Sequence, residues 1–306
     1  MTAAVDTGVA IGAVSLPNPV IAASGTFGYG LEFAGLVDLA APGAIAVKGL
    51  SLEPCPGKPP PRLVESPAGM LNAIGLQNVG VAAFLRDRLP VLARLGARVV
   101  ANFWGDSPEE FAECAARLDG APGLIALELN AASPNRPEWG GIIASDPTAL
   151  GAIVRAVRRR VRMPLWVKLS PNVTDIALVG RAAESEGADA LCAINTLRGL
   201  AVDIATRRPR LRSVTGGLSG PAIKPVALAM VWALTRVVRI PVVGIGGIRN
   251  GEDALEFLCC GARAVQVGTA TFYDPRAPVR IASEMRTWCM RHGVASVTDV
   301  VGTLSP

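Results

Sequence analysis

Eight short runs of apolar and β-branched residues recur along the chain, each followed by a helical pattern or a turn-rich loop. They fall at 20–23, 44–48, 98–103, 124–130, 165–170, 188–195, 241–246 and 264–268. Strands separated by helices do not pair as hairpins. They pair in parallel, with the crossover helices covering the sheet. Eight such units predict a closed (β/α)8 TIM barrel rather than an open sheet. The chain's 306 residues suit one such barrel with insertions, so 1–306 is read as a single domain.

Local punctuation agrees with this reading. Ser107-Pro108-Glu109-Glu110 has the form of a capping box with proline at the first helical position. Asp146-Pro147 and Asn250-Gly251-Glu252-Asp253 mark two further helix starts. Gly187 and Gly261 stand where helices end ahead of the sixth and eighth strands. Two connections, 49–98 and 196–221, are too long for simple crossovers. The first carries a Pro-rich loop at 54–61. The second carries a short hairpin turning at Arg208-Pro209, then Gly216-Gly217-Leu218-Ser219-Gly220. Both follow strands, so both are expected as loop insertions over the C-terminal face, where barrels place their chemistry.

Composition narrows the function classes. Half the residues are hydrophobic, enough for a large core, but Gly and Pro break the early apolar stretch 8–25 before it reaches membrane-spanning length. The N-terminus shows no basic leader with a cleavage site, so a cytoplasmic chain without a membrane partner is expected. The basic runs 155–162 and 207–212 lack aromatic interleaving and read as solvated faces, not a nucleic-acid surface. Six scattered cysteines form no C-x-x-C pair, which argues against an iron–sulfur cluster or structural zinc within the chain; most are read as small buried hydrophobes. The one histidine, His292, is read as a surface helix residue, and a His-based triad or multi-histidine metal site is excluded.

The strand ends offer Ser24, Lys48, Asn102, Asn130, Lys168 and Asn195. Only four of the thirty basic residues are lysine (Lys48, Lys58, Lys168 and Lys224), and two of the four fall on this rim. An Asn amide offers a donor and an acceptor to the alternating edge of a pyrimidine or flavin ring. A lysine stabilises negative charge developing on such a ring. Asn130-Ala131-Ala132-Ser133-Pro134-Asn135, just past the fourth strand, could be an ordinary turn. Its place among the other polar strand ends favours chemistry. Gly244-Ile245-Gly246-Gly247-Ile248 and Gly268-Thr269-Ala270 end strands seven and eight, where barrels commonly bind phosphate, and point to a phosphorylated ligand such as FMN.

The chain resembles the catalytic subunit of the dihydroorotate dehydrogenases, in the NAD-linked branch called class 1B. The resemblance rests on Ala23-Ser24-Gly25, the stretch from Met70 to Asn78, Val167 through Ile176 (VKLSPNVTDI), Ile194-Asn195-Thr196, Gly216 through Pro225, and Gly268-Thr269. It implies an FMN barrel that oxidises dihydroorotate to orotate in de novo pyrimidine (UMP) synthesis. By position, FMN would contact Ser24, Lys48, Gly49, Asn102, Asn130, Lys168, Ile194, Gly220, Gly246, Gly247, Gly268 and Thr269. Substrate would contact Lys48, Asn72, Ala73, Ile74, Gly75, Leu76, Asn130, Asn195 and Thr196. The resemblance also implies a homodimer of barrels, each paired with a subunit carrying FAD and a [2Fe–2S] cluster that passes electrons to NAD. Class 1 enzymes use a cysteine base where this chain has Ser133, and the segment Arg136-Pro137-Glu138-Trp139-Gly140-Gly141 also departs from the usual pattern. With Ser133 as base, it would take a proton from C5 of dihydroorotate as C6 gives up hydride, with Lys168 stabilising the reduced ring. A related FMN barrel acting on another dihydropyrimidine, one reducing uridine in tRNA, and a catalytically impaired flavin-binding subunit stay open as alternatives.

Overall fold

The computed structural model describes residues 5–133 and 143–305. Eight strands close a parallel barrel in chain order: β1 Val20–Ala22, β2 Ala44–Ala46, β3 Val99–Phe103, β4 Leu124–Leu129, β5 Leu165–Leu169, β6 Ala190–Ala193, β7 Val242–Ile245 and β8 Ala264–Val267. Closure is direct: Val265, Gln266 and Val267 of β8 pair with Val20, Ile21 and Ala22 of β1. Every residue of β3 and β5 is buried, as expected for strands covered on both faces. All eight expected strands are present, trimmed at their ends by up to two residues, where the last residue turns to the rim.

The covering helices follow from stripes at helical spacing. The helix Pro108–Leu118 buries Phe111, Cys114, Ala115 and Leu118 on one face. Ser107 caps it by accepting from Glu110 N, but Glu110 accepts from Asp106 N at 2.9 Å instead of closing a reciprocal capping box with Ser107. The proline after Ser107 fixes the entry of the chain, and the Glu110 carboxylate reaches the N–H one residue earlier. Asp146 and Asn250 cap their helices through backbone N–H groups. Gly187 and Gly261 both sit at φ +98°, the left-handed conformation that releases the chain into β6 and β8. The first crossover holds only a short helical turn, Leu31–Phe33.

The two insertions meet each other over the barrel. Leu63–Ser66, Gly69–Asn72, Thr215–Ser219 and Leu197–Leu200 form one antiparallel sheet, with Asn72 opposite Gly217. Leu71, Ala73 and Leu211 make a small core of their own beneath it. Each insertion pairs two strands of its own, and the pairing of Gly69–Asn72 with Thr215–Ser219 joins the two pairs into one sheet. Arg208–Pro209 is not a turn. It pairs with Val202–Asp203 as the return strand, and the reversal lies at 204–207. Asp203 Oδ1 accepts from Ala205 N and Thr206 N, and this Asx-type turn closes the reversal before Arg208 is reached.

Cys114, Cys192 and Cys289 are buried, whereas Cys55, Cys259 and Cys260 are half-buried, so only three of the six behave as core residues. His292 follows the helix Ala277–Arg291, exposed, its ring stacked on Trp288. The basic run 155–162 is tied down by Arg155–Glu186, Arg158–Asp189 and Arg160–Glu113 pairs. Among the described residues no helix is long and apolar enough to cross a membrane.

Candidate active site

The strand period of two places alternate residues inside a closed barrel. Glu128 and Asn130, Asn102, Lys168 and Gln266 all take inward positions near the C-terminal ends of β4, β3, β5 and β8. They form one connected set. Asn102 Nδ2 donates to Glu128 Oε1 and Gln266 Nε2 donates to Glu128 Oε2, both at 2.5 Å. Asn130 Nδ2 donates to Asn102 Oδ1 at 3.3 Å, and Asn195 Nδ2 donates to Asn130 Oδ1 at 3.4 Å. Lys168 Nζ donates to Ser24 Oγ at 3.3 Å and lies 3.7 Å from Glu128 Oε1. Four amides, a carboxylate, a lysine and a serine from six different segments are thus mutually oriented.

Above this set lies a cavity of about 360 Å3. Ser24, Lys48, Gly49, Asn102, Asn130, Ser133, Lys168, Ile194, Gly220, Gly246, Gly247, Gly268 and Thr269 line it. So do Asn72, Ile74, Leu76, Asn195 and Thr196, which the two insertions and β6 bring in. Ala73 and Gly75 do not. Strand alternation turns Ala73 into the small core with Leu71 and Leu211, and Gly75 packs beneath the Pro-rich loop, where a Cβ would lie 2.6 Å from Lys58 Cγ. Ser133 is buried at the edge of the described chain; Pro134, Asn135 and the segment from Arg136 to Gly141 lie outside the described residues.

The charge of the cavity is set by burial. Burial, with a smaller push from Arg62, lowers the Lys48 ammonium to about 8. Lys48 Nζ finds Gly25 O at 3.4 Å. Burial would raise Glu128, but Lys168 and the Gln266 and Asn102 donors outweigh it and hold the carboxylate below its ordinary range. At the other end of the cavity Gly246 and Gly247 adopt φ +134° and +74°. A Cβ on Gly247 would lie 2.9 Å from Gly220 O, so the backbone turns approach one another only because no side chain intervenes. Thr269 Oγ1 donates to Ser219 Oγ at 2.8 Å, joining the end of β8 to the second insertion.

Sequence reading missed Glu128 and Gln266. Their signals were present: a carboxylate inside the apolar run Leu124–Leu129, and an amide inside Ala264–Val267. It also missed Arg249, Tyr273, Asp274 and Arg280, which form one rim of the cavity beyond β7 and β8. The arrangement can grip a planar ring with donors and acceptors, place positive charge beside it, and offer backbone N–H groups to an anionic tail. The lining contains no histidine and, among the described residues, one carboxylate, Asp274, at the rim.

The family model for dihydroorotate dehydrogenase matches residues 8–288. A protein of Pelobacter propionicus named dihydroorotate dehydrogenase B (NAD(+)), catalytic subunit, is 54% identical, with 98% of each chain covered. The protein of the same name from Geobacter sulfurreducens is 53% identical over the same shares. A Solibacter usitatus protein named putative dihydroorotate dehydrogenase A (fumarate) is 54% identical over 95% of this chain and 96% of its own.

Proposed function

The chain belongs to the dihydroorotate dehydrogenase family, and on that premise we propose that it is an FMN-dependent oxidoreductase that converts dihydroorotate to orotate in pyrimidine biosynthesis. The observation that carries this reading is the convergence of Lys48, Asn102, Asn130, Ser133, Lys168 and Asn195 on one cavity that ends in the Gly246–Gly247 and Gly268–Thr269 backbone. The donor set fits FMN: amides and lysines for the ring, and glycine-lined strand ends for the phosphate.

Bound there, FMN supplies the two-electron acceptor that no side chain of the chain can replace. Ser24, Lys48, Gly49, Asn102, Asn130, Lys168 and Ile194 would hold its ring, and Gly220, Gly246, Gly247, Gly268 and Thr269 would hold its phosphate end. Lys168 would place its positive charge beside the ring. Asn72, Asn130, Asn195 and Thr196 would orient the pyrimidine, with Ile74 and Leu76 alongside, and Lys48 would face the substrate carboxylate. Ser133 takes the proton from C5. A serine hydroxyl is a weak base near neutrality, so the proton passes on through a neighbour or water. The two insertions exclude solvent from above.

The whole chain acts as one barrel domain in the cytoplasm. The relatives' name, dihydroorotate dehydrogenase B (NAD(+)), catalytic subunit, supports a partner subunit and NAD as acceptor; a homodimer of barrels, each paired with a subunit holding FAD and a [2Fe–2S] cluster, rests on the class 1B resemblance. The Solibacter usitatus name favours a second acceptor, fumarate. The test is anaerobic mixing of the purified holoprotein with dihydroorotate while the visible flavin absorbance is followed. Rapid bleaching supports the reading, and bleaching by dihydrouracil instead moves the substrate to a dihydropyrimidine lacking the carboxylate. Flavin that dithionite reduces but neither substrate does makes the chain an impaired flavin-binding subunit. Turnover with fumarate alone would remove the need for a partner.

A further inference from the structure

Glu128 occupies a position where a barrel ordinarily places an apolar side chain. It lies inside β4 with no accessible surface, beneath the cavity that Lys168 lines and that Glu128 itself does not reach. Both its oxygens are used, by Asn102 and by Gln266. Lys168 Nζ sits 3.7 Å away, on the cavity side. Taking a carboxylate out of water carries a penalty of several kcal/mol even when paired, and packing alone would be served by Leu or Val. The carboxylate is an anion here, because Lys168 and the two amide donors outweigh burial.

We infer that Glu128 is a positioning residue: it holds Lys168 and Asn102 from below and sets the reduction potential of the bound flavin by partly cancelling the lysine's charge. The inference rests on the FMN reading above. A cation beside the ring favours the reduced, anionic form. A fixed anion behind that cation opposes it, in a low-dielectric interior where screening is weak. Glu128 therefore lowers the flavin potential and makes the reduced flavin a stronger donor to the next acceptor.

Glu128→Gln removes the charge and keeps the shape. Gln266 Oε1 is buried with no partner among the described residues, so a turn of the Gln266 amide lets it accept the new N–H. Glu128→Asp keeps the charge and shortens the reach. The measurement is an anaerobic dye-equilibrium titration of the holoproteins, with FMN dissociation and thermal unfolding recorded beside it. Glu128→Gln is expected to favour reduced flavin by about tenfold or more, an upward shift of about 30 mV for a two-electron couple, with Glu128→Asp within about threefold of the parent. A Glu128→Gln value within that threefold margin, or equal shifts in both variants, overturns the inference. Loss of FMN in Glu128→Gln but not in Glu128→Asp supports it, because the charge is then what holds Lys168. Loss in both overturns it in favour of a packing role. A parent protein that binds no FMN, or whose FMN dihydroorotate does not reduce, sinks the functional reading before the variants are compared.

Discussion

Gly49 and Asn102 touch so closely that a Cβ on Gly49 would fall 2.6 Å from Asn102 Oδ1. That oxygen accepts from Asn130 Nδ2, while the amide nitrogen of the same side chain donates to Glu128. A glycine three residues beyond β2 thus leaves room for the amide that links the buried carboxylate to the cavity.

Gly49→Ala is expected to displace the Asn102 amide and break this link. FMN affinity should fall by about tenfold or more, corresponding to a loss of about 1.4 kcal/mol. Fluorescence of released FMN on dilution measures it. Unchanged release would mean that the Asn102 amide plays no part in holding the cofactor.

Ser133→Ala should leave FMN content intact and slow flavin reduction by dihydroorotate by about 10²–10⁴-fold, the range for loss of a positioned proton acceptor. Stopped-flow absorbance under anaerobic conditions checks it. Ser133→Cys should retain reduction, because a thiol at the same atom reaches the same proton. Near-parent rates in Ser133→Ala would remove the serine from the mechanism.

Lys48 carries a pH signature. Its ammonium lies at about 8 in the folded chain against 10.5 unfolded, through burial first and Arg62 second. Between those values the unfolded chain binds more protons, so stability rises with pH there, and the penalty is complete below about 8. Lys48→Met should therefore stabilise the protein at neutral pH by about 1–3 kcal/mol in denaturant unfolding, an advantage that shrinks as pH climbs through that window. In the parent, orotate affinity should weaken as pH rises through about 8, when the cation facing its carboxylate is lost. Flavin difference spectra in an orotate titration would show this trend, and Lys48→Met should lack it.

Asn78 latches the first insertion. Its amide donates to Ser51 Oγ at 2.8 Å, and its carbonyl accepts from Gly80 N at 2.8 Å and Ser51 N at 3.2 Å. Asn78→Ala leaves these buried groups without their partner and should cost about 1–3 kcal/mol. A lower urea midpoint and faster amide exchange across 51–80 are the readouts. Exchange that speeds uniformly over the barrel would assign the loss to global stability instead of the cover.

Much of the site was legible because strand ends are local events. Gly-Gly after Ile245, the Asn after Leu129 and the lysine before Leu169 each sit at a point where an apolar run stops, and a run's end can be read from neighbours alone. The same local logic found the caps Ser107, Asp146 and Asn250, whose partners lie two or three residues away. It failed on Arg208-Pro209, where the turn chemistry was in Asp203, and on Ala73, which alternation sends away from the cavity.

By itself the sequence determined the repeating strand and helix units, their boundaries, the capped starts and the polar residues that end the strands, since all of these depend on period and on contacts a few residues apart. Only the tertiary structure decided which distant residues share an environment. Asn72 meets Gly217 across 145 residues, and Gln266 meets Glu128 across 138, because the insertions pair edge to edge and the eighth strand closes on the first. Whether a buried carboxylate faces a lysine or a leucine is fixed by the register in which β4 and β5 pair, and no run of neighbouring residues encodes it.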